Sequence, residues 1–358
     1  MISEYNSTFL LSLSLIFLLI AIFTTMVKNE SFSNFIALFL IILYVTLFGL
    51  RDYSIGSDTK AYVENFLYNN WDFEPLFTVI TYLIKKFTND PTEYLITLSL
   101  IYGINIFSAY SIFGRNIKTH TIVFIWAVLF SQGMLTGTIN LFRQALGFSF
   151  FLLGLGIYLK KEKISFLSCL LLISSILVHS SNAIFLLLLF FSRFISVRII
   201  FFIFIISLLL FFGGFGQFII DKFGDYYIIQ RTLARHIYFN ERRSISTIYM
   251  YIFLYSSHLL IFLYFYKNKI KNKVYIDLLK LYGLILSLSI FLSFNREIAL
   301  RNYIMLQYIV PIIYIYISSY IKQKLIFSML FASYTLLYFY YLLNRSWFTD
   351  QFLGNITS

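Results

Sequence analysis

Apolar runs long enough to cross a lipid bilayer recur from Phe9 to Leu343, and only short polar breaks separate them. Hydrocarbon offers no water to the backbone, so a run of this kind must satisfy its own N–H and C=O groups, which a helix does. A span needs about 20 apolar residues, fewer where flanking side chains snorkel. Candidate spans lie at 9–27, 33–50, 94–113, 119–137, 141–159, 164–178, 182–194, 199–220, 246–266, 275–294, 302–320 and 325–343. A thirteenth apolar stretch, Leu76 to Phe87, is too short to cross comfortably and ends in Lys85 and Lys86. The expected fold is therefore all-α: a polytopic membrane protein of about twelve transmembrane helices plus a short re-entrant or interfacial helix. If that short helix crossed instead, segment 51–74 would change sides.

Composition points the same way. The chain is 59% hydrophobic and 12% charged with mean hydropathy +0.80, a surface that a soluble protein of 358 residues could not cover with polar groups. A net charge of +12 raises the question of nucleic acid, but the charges are scattered one or two per loop and form no basic domain. The lone Cys169 sits inside an apolar run and has no internal partner for a disulfide. The first run, from Phe9, follows Glu4 without a basic flank or a small-residue cleavage site, so it reads as an uncleaved span. The expected organisation is one transmembrane domain with two long outer loops, 51–75 and 221–245. Most tyrosines and phenylalanines are expected at interfaces or against lipid, as at Tyr249–Tyr255 and Tyr338–Tyr341.

The two kinds of cation separate by side. Alternate breaks hold Lys28, Arg115 with Lys118, Lys160, Lys161 and Lys163, Arg193 with Arg198, the cluster Lys267 to Lys273, and Lys322 with Lys324. By the positive-inside rule these are cytoplasmic. The opposite breaks hold Arg51, Arg143, Arg231, Arg235, Arg242, Arg243, Arg296, Arg301 and Arg345, nine of the twelve arginines. Arginine's planar fork suits phosphate and carboxylate. An outer face rich in it points to an anion handled there.

Candidate site residues follow from that face. In Arg51–Pro75, Gly56 lets the chain turn so that Arg51 and Asp58 can face one pocket. Glu74 precedes Pro75 at a helix start, where either a capping or a functional role would account for it. Arg143 lies roughly one turn inside an apolar run, which is costly unless it is paired, faces water or snorkels. His179 ends a span in the run VHSSN and offers a proton acceptor or donor, or simply an interface histidine bonded to local backbone. His258, mid-span, reads as a helix–helix hydrogen-bonding residue. Arg231 and Arg235, four apart, would share one helix face and could clasp a diphosphate or pair with nearby acids. Arg301 repeats the situation of Arg143. No HExxH, P-loop, GxSxG or Cys/His cluster is present, so neither a metal nor a cofactor is expected.

At these residues the chain resembles the EpsG/Wzy-type family of bacterial polysaccharide polymerases. The matching pieces are Gly49-Leu50-Arg51 through Gly56-Ser57-Asp58 and Tyr62, Glu74-Pro75-Leu76, Asn140-Leu141-Phe142-Arg143-Gln144-Ala145, His179-Ser180-Ser181 and Arg301-Asn302-Tyr303. The resemblance implies a GT-C-like membrane glycosyltransferase in the bacterial cytoplasmic (inner) membrane. It would join undecaprenyl-diphosphate-linked glycan donor and acceptor on the outer face, with a chain-length regulator as a further partner to consider. Arg51, Arg143 and Arg301 would then hold diphosphate, with Arg231 and Arg235 added on physical grounds alone. His179, Asp58 or Glu74 would take the acceptor's proton. The competing readings are a lipid-linked oligosaccharide flippase and a membrane O-antigen ligase or acyltransferase. A flippase should show two related halves and charges near the bilayer midplane, and neither is visible in the sequence.

Overall fold

A computed structural model describes residues 6–56, 58–70, 72–115, 118–223 and 245–345. Regular structure among them is helical throughout. In chain order the α-helices are α1 (Ser7–Val27), α2 (Glu30–Gly49), α3 (Thr59–Tyr68), α4 (Pro75–Lys85), α5 (Pro91–Gly114), α6 (Thr121–Leu129), α7 (Gln132–Ile139), α8 (Phe142–Lys161), α9 (Phe166–Val178), α10 (Ala183–Ser192), α11 (Val197–Phe212), α12 (Phe215–Phe223), α13 (Ile245–Asn268), α14 (Lys273–Phe291), α15 (Arg296–Ser319) and α16 (Lys324–Leu343). Many starts carry a side-chain cap. Asn6, Asn29, Asp90, Ser131, Ser196 and Asn272 each accept a hydrogen bond from the first turn, and Ser165 with Ser168 forms a reciprocal capping box.

Eight of these helices are long and apolar enough to span a bilayer, and the α6–α7 pair, bent by 52° at Phe130–Ser131, would make a ninth. Three of the twelve sequence candidates become shorter apolar helices: α9, α10 and α11, with 13, 10 and 16 residues. The short stretch after Pro75 is α4, an 11-residue helix. Outward-facing rings and aliphatics such as Leu19, Phe23, Phe35, Phe202 and Phe253 are more than 60% exposed, which suits a lipid surround.

The chain divides into two compact units, residues 1–184 with 314–358, and residues 185–313. In the first, α5 packs between α2 and α8, α8 packs on α9, and α1 meets α2, α6 and α16. Every residue of α6 and α7 is buried. The Trp126 indole donates to the Ser14 carbonyl at 2.9 Å, tying α6 to α1. In the second unit α14 packs against α11 and α13. Here the interface reading of the tyrosines needs correction. Tyr251 and Tyr255 are buried and stack with Tyr303 at centroid distances of 5.5 and 5.6 Å. Tyr275 and Tyr282 are buried as well, and their hydroxyls donate to the Phe262 and Tyr255 carbonyls. A tyrosine can go inside when a helix carbonyl accepts a hydrogen bond from its hydroxyl. His258 lies buried among the same rings, next to Tyr255 and Phe262.

The segment from Arg51 to Gly56 is built as a tight turn on the end of α7. Hydrogen bonds from the Ser54 amide and hydroxyl to Asp52 hold that carboxyl below its usual range. Gly56 has φ +88°, and a Cβ there would fall 2.6 Å from Ile139 Cγ2 and 2.7 Å from the Ile139 carbonyl oxygen. Gly214, at φ +71°, has open space around it. Gly56→Ala should therefore cost more than the roughly 1–2 kcal/mol of left-handed backbone alone. We expect it to lower the thermal unfolding midpoint in detergent clearly further than Gly214→Ala does. Equal shifts would mean that the turn is not clamped on Ile139.

Candidate functional site

Three side chains distant in sequence converge in the first unit. Glu74 stands at the start of α4 with Pro75 in the first turn, but its carboxylate makes no capping bond. It turns instead to Arg143, the second residue of α8, whose Nη1 lies 2.6 Å from Glu74 Oε2. The capping role considered for Glu74 is thus not the one its side chain plays. His179 Nδ1 lies 3.8 Å from the other carboxylate oxygen. All three side chains are between 17% and 24% exposed, sheltered yet reachable.

Aromatic rings fix the guanidinium. The Arg143 fork sits 4.1 Å from the Phe73 ring centroid and 5.8 Å from that of Tyr62. Tyr62, Phe73 and Phe77 pack edge-on or tilted against one another, and Phe142 packs on Tyr62. One Arg143 donor, Nε, is buried without a hydrogen-bond partner among the described residues. Asp58 joins through Tyr62, whose hydroxyl lies 3.4 Å from Asp58 Oδ2. Burial pushes the Tyr62 phenol above its usual range, the Asp58 charge adds to that, and Arg143 opposes it.

His179 has a defined local role. It ends α9 in extended backbone and begins a single 3-10 turn, Ser180–Asn182. Its Nδ1 accepts from the Ser181 amide at 3.2 Å and lies 2.9 Å from the Ser181 hydroxyl. A backbone N–H can only donate, so the neutral ring carries its proton on Nε2. The residue that ends this turn, Asn182, is fully buried. Its amide donates to the Gln144 carbonyl of α8 at 3.2 Å and to the Ser175 carbonyl of α9 at 3.3 Å. It thereby locks the helix that carries Arg143 to the helix that ends at His179.

The other residues proposed from sequence fall elsewhere. Arg51 is completely buried. It donates to the Phe48 carbonyl at the end of α2 at 2.9 Å and to the Thr59 hydroxyl at 3.1 Å. Thr59 in turn reaches the Ile139 carbonyl at 3.4 Å, so Arg51 links α2 to the start of α3 beside the site. Arg301 belongs to the second unit, where its Nε lies 2.8 Å from Glu297 Oε1 one turn earlier on α15. Arg231 and Arg235 lie outside the described residues. Among the described residues no three of His, Cys, Asp and Glu gather as metal ligands would.

Sequence reasoning did not single out Asn182 or Gly147. The one signal for Asn182 was its place three residues after His179. A Cβ at Gly147 would fall 2.3 Å from Asn182 Nδ2 and 2.7 Å from the Ser175 carbonyl oxygen. Gly147→Ala should therefore displace the Asn182 clasp and lower the unfolding midpoint. Because the two residues touch, the Gly147→Ala/Asn182→Ala double variant should lose less than the sum of the single losses. Simple additivity in thermal melts would count against the clasp.

A model of the EpsG family matches residues 34–353, nearly the whole chain. No curated protein matches the chain, and no solved structure does.

Proposed function

The chain belongs to the EpsG family, and on that premise we propose that it is a membrane polysaccharide polymerase. It joins undecaprenyl-diphosphate-linked repeat units by glycosyl transfer on the outer face of the bacterial cytoplasmic membrane. Family membership and the apolar helices carry the coarse part, a membrane protein of polysaccharide biosynthesis. The carrier, the face and the reaction are argued from the site. The observation that carries this reading is the convergence of Glu74, Arg143 and His179, with Arg143 held by a carboxylate and a ring and all three side chains sheltered yet reachable.

In this proposal the donor's diphosphate competes with Glu74 for Arg143. An anion of two or more charges outbids a single carboxylate for a guanidinium, and the exchange leaves Glu74 Oε2 free. The freed carboxylate accepts the proton of the acceptor hydroxyl as that oxygen bonds to the donor's anomeric carbon. The bond from that carbon to the diphosphate oxygen breaks, and the electron pair leaves with undecaprenyl diphosphate, whose charge Arg143 stabilises. His179, with Nδ1 bound to Ser181, supplies a donor from Nε2. Asp58 acts through Tyr62 on the shape of the pocket, and Arg51 is a positioning residue. Arg301 with Glu297 forms a second guanidinium–carboxylate pair suited to a second diphosphate. Arg231 and Arg235 remain diphosphate candidates by residue type alone.

The roles separate in kinetics. Glu74→Gln should cut turnover about 100-fold while the KM for lipid-linked donor stays level or falls, because the competing charge is gone. Arg143→Lys keeps the charge but loses the planar fork. It should insert normally and weaken donor use about ten- to a hundredfold, the equivalent of roughly 1.5–3 kcal/mol of charge-assisted bonding. Normal polymer from Glu74→Gln would move the base to His179 or Asp58. Normal polymer from Arg143→Lys would reduce Arg143 to an anchor.

Sidedness has its own test. Asn70 is exposed in the segment between α3 and α4. In a Cys169→Ser background, Asn70→Cys should react with an impermeant thiol reagent in intact cells, or in spheroplasts where an outer membrane blocks access. Labelling only after lysis of the cytoplasmic membrane would put the site on the cytoplasmic face and end the proposal.

A further inference from the structure

A second polar site lies in the first unit among residues the proposed reaction does not use. A cavity of about 280 Å³ opens where the start of α2, the end of α5 and the start of α6 meet. Its polar lining is Glu30, Asn34, Ser111, Arg115, Lys118 and Thr121. Thr121 is spent on the fold, since its hydroxyl donates to the Gly114 carbonyl at 3.0 Å. The Ser111 hydroxyl is buried without a hydrogen-bond partner among the described residues. Glu30, Asn34, Arg115 and Lys118 are exposed. Lys118 also stands at φ +51°, a left-handed conformation that a lysine adopts at a cost. Two cations against one carboxylate leave the cavity with a net charge of about +1.

We infer that this cavity binds a phosphate ester of about one negative charge, from either a phospholipid headgroup or a soluble phosphate ester. The chemistry selects it. Arginine and lysine together make a phosphate site, one by fork and one by point charge. Asn34 and Ser111 add neutral donors. Glu30 tunes the site against more highly charged anions, because a dianion would meet its carboxylate. The cavity sits at an end of the helices marked by Lys28, Arg115 and Lys118, which the positive-inside rule assigns to the cytoplasm. There the anionic headgroups of the inner leaflet are the abundant source of such a group.

The test uses full-length purified protein in nanodiscs and follows its thermal midpoint. Phosphatidylglycerol should raise the midpoint more than phosphatidylcholine does. Arg115→Gln/Lys118→Gln should raise the phosphatidylglycerol fraction needed for half the effect by about tenfold. Glu30→Gln should lower that fraction severalfold. This gain is decisive if the double variant folds poorly, since lost structure cannot strengthen binding. A detergent arm with glycerophosphoglycerol, a soluble phosphate diester of one negative charge, separates the sources. If it reproduces the shift, the ligand is a soluble ester, and if only phosphatidylglycerol does, it is lipid. Identical lipid responses in wild type and both variants would overturn the inference and leave a solvated cleft.

Discussion

A guanidinium near the start of a membrane helix is an expensive object, and the Arg143–Glu74 contact is what makes it tolerable here. Insertion scales put an unpaired arginine at a helix centre at roughly 2.5–3.5 kcal/mol. The 2.6 Å approach of Glu74 removes the net charge, and the Phe73 ring covers one face of the fork. The pair also explains why α4 begins where it does. Pro75 occupies the first helical position, and the Glu74 carboxylate before it turns to α8 rather than to its own first turn. A solvent-exposed pair of the same kind would contribute little. In a sheltered place it fixes the start of α4 to the start of α8.

Around that pair the fold spends its unusual residues on distance control. Gly56 lets the turn after Arg51 lie on Ile139, just before the helix that carries Arg143. Gly147 opens a notch on α8 that the Asn182 amide fills. Arg51 binds the end of α2 to the start of α3. These devices come from separate stretches of chain, and each sets the position of one side of the same cluster.

Much of this was legible in the sequence, for a physical reason. In a bilayer the hydrophobic run and the cost of charge are strong signals, so the helices and the outliers Arg143, Glu74 and His179 stood out. What each outlier touches was less legible. Glu74 before a proline fits a cap equally well, and only the fold turns the carboxylate away from its own helix toward Arg143. Arg51 carries the same charge as Arg143 but is fully buried on backbone and hydroxyl partners, a difference of packing that residue type does not encode. Tyr251 and Tyr255 read as interface anchors because tyrosine is amphipathic. They went inside because the Tyr303 ring lies there for both to stack on. Asn182 and Gly147 matter only as a pair 35 positions apart, which no local pattern reveals.

The bent pair α6–α7 bears on how the chain is made. Lipid touches none of its residues, and its helical ladder is interrupted at Ser131, which caps α7 from within. A span that leaves the translocon alone must meet lipid on every side, and this one would present Ser131, Gln132, Thr136 and Thr138 to hydrocarbon. Its stable state depends on α1, α2, α5, α8 and α16 being present around it. The last of those helices is the last described one in the chain. Residues 121–139 would then wait, held by the insertion machinery or by early neighbours, until α16 has been made, so that the first unit cannot finish packing before that helix is in place.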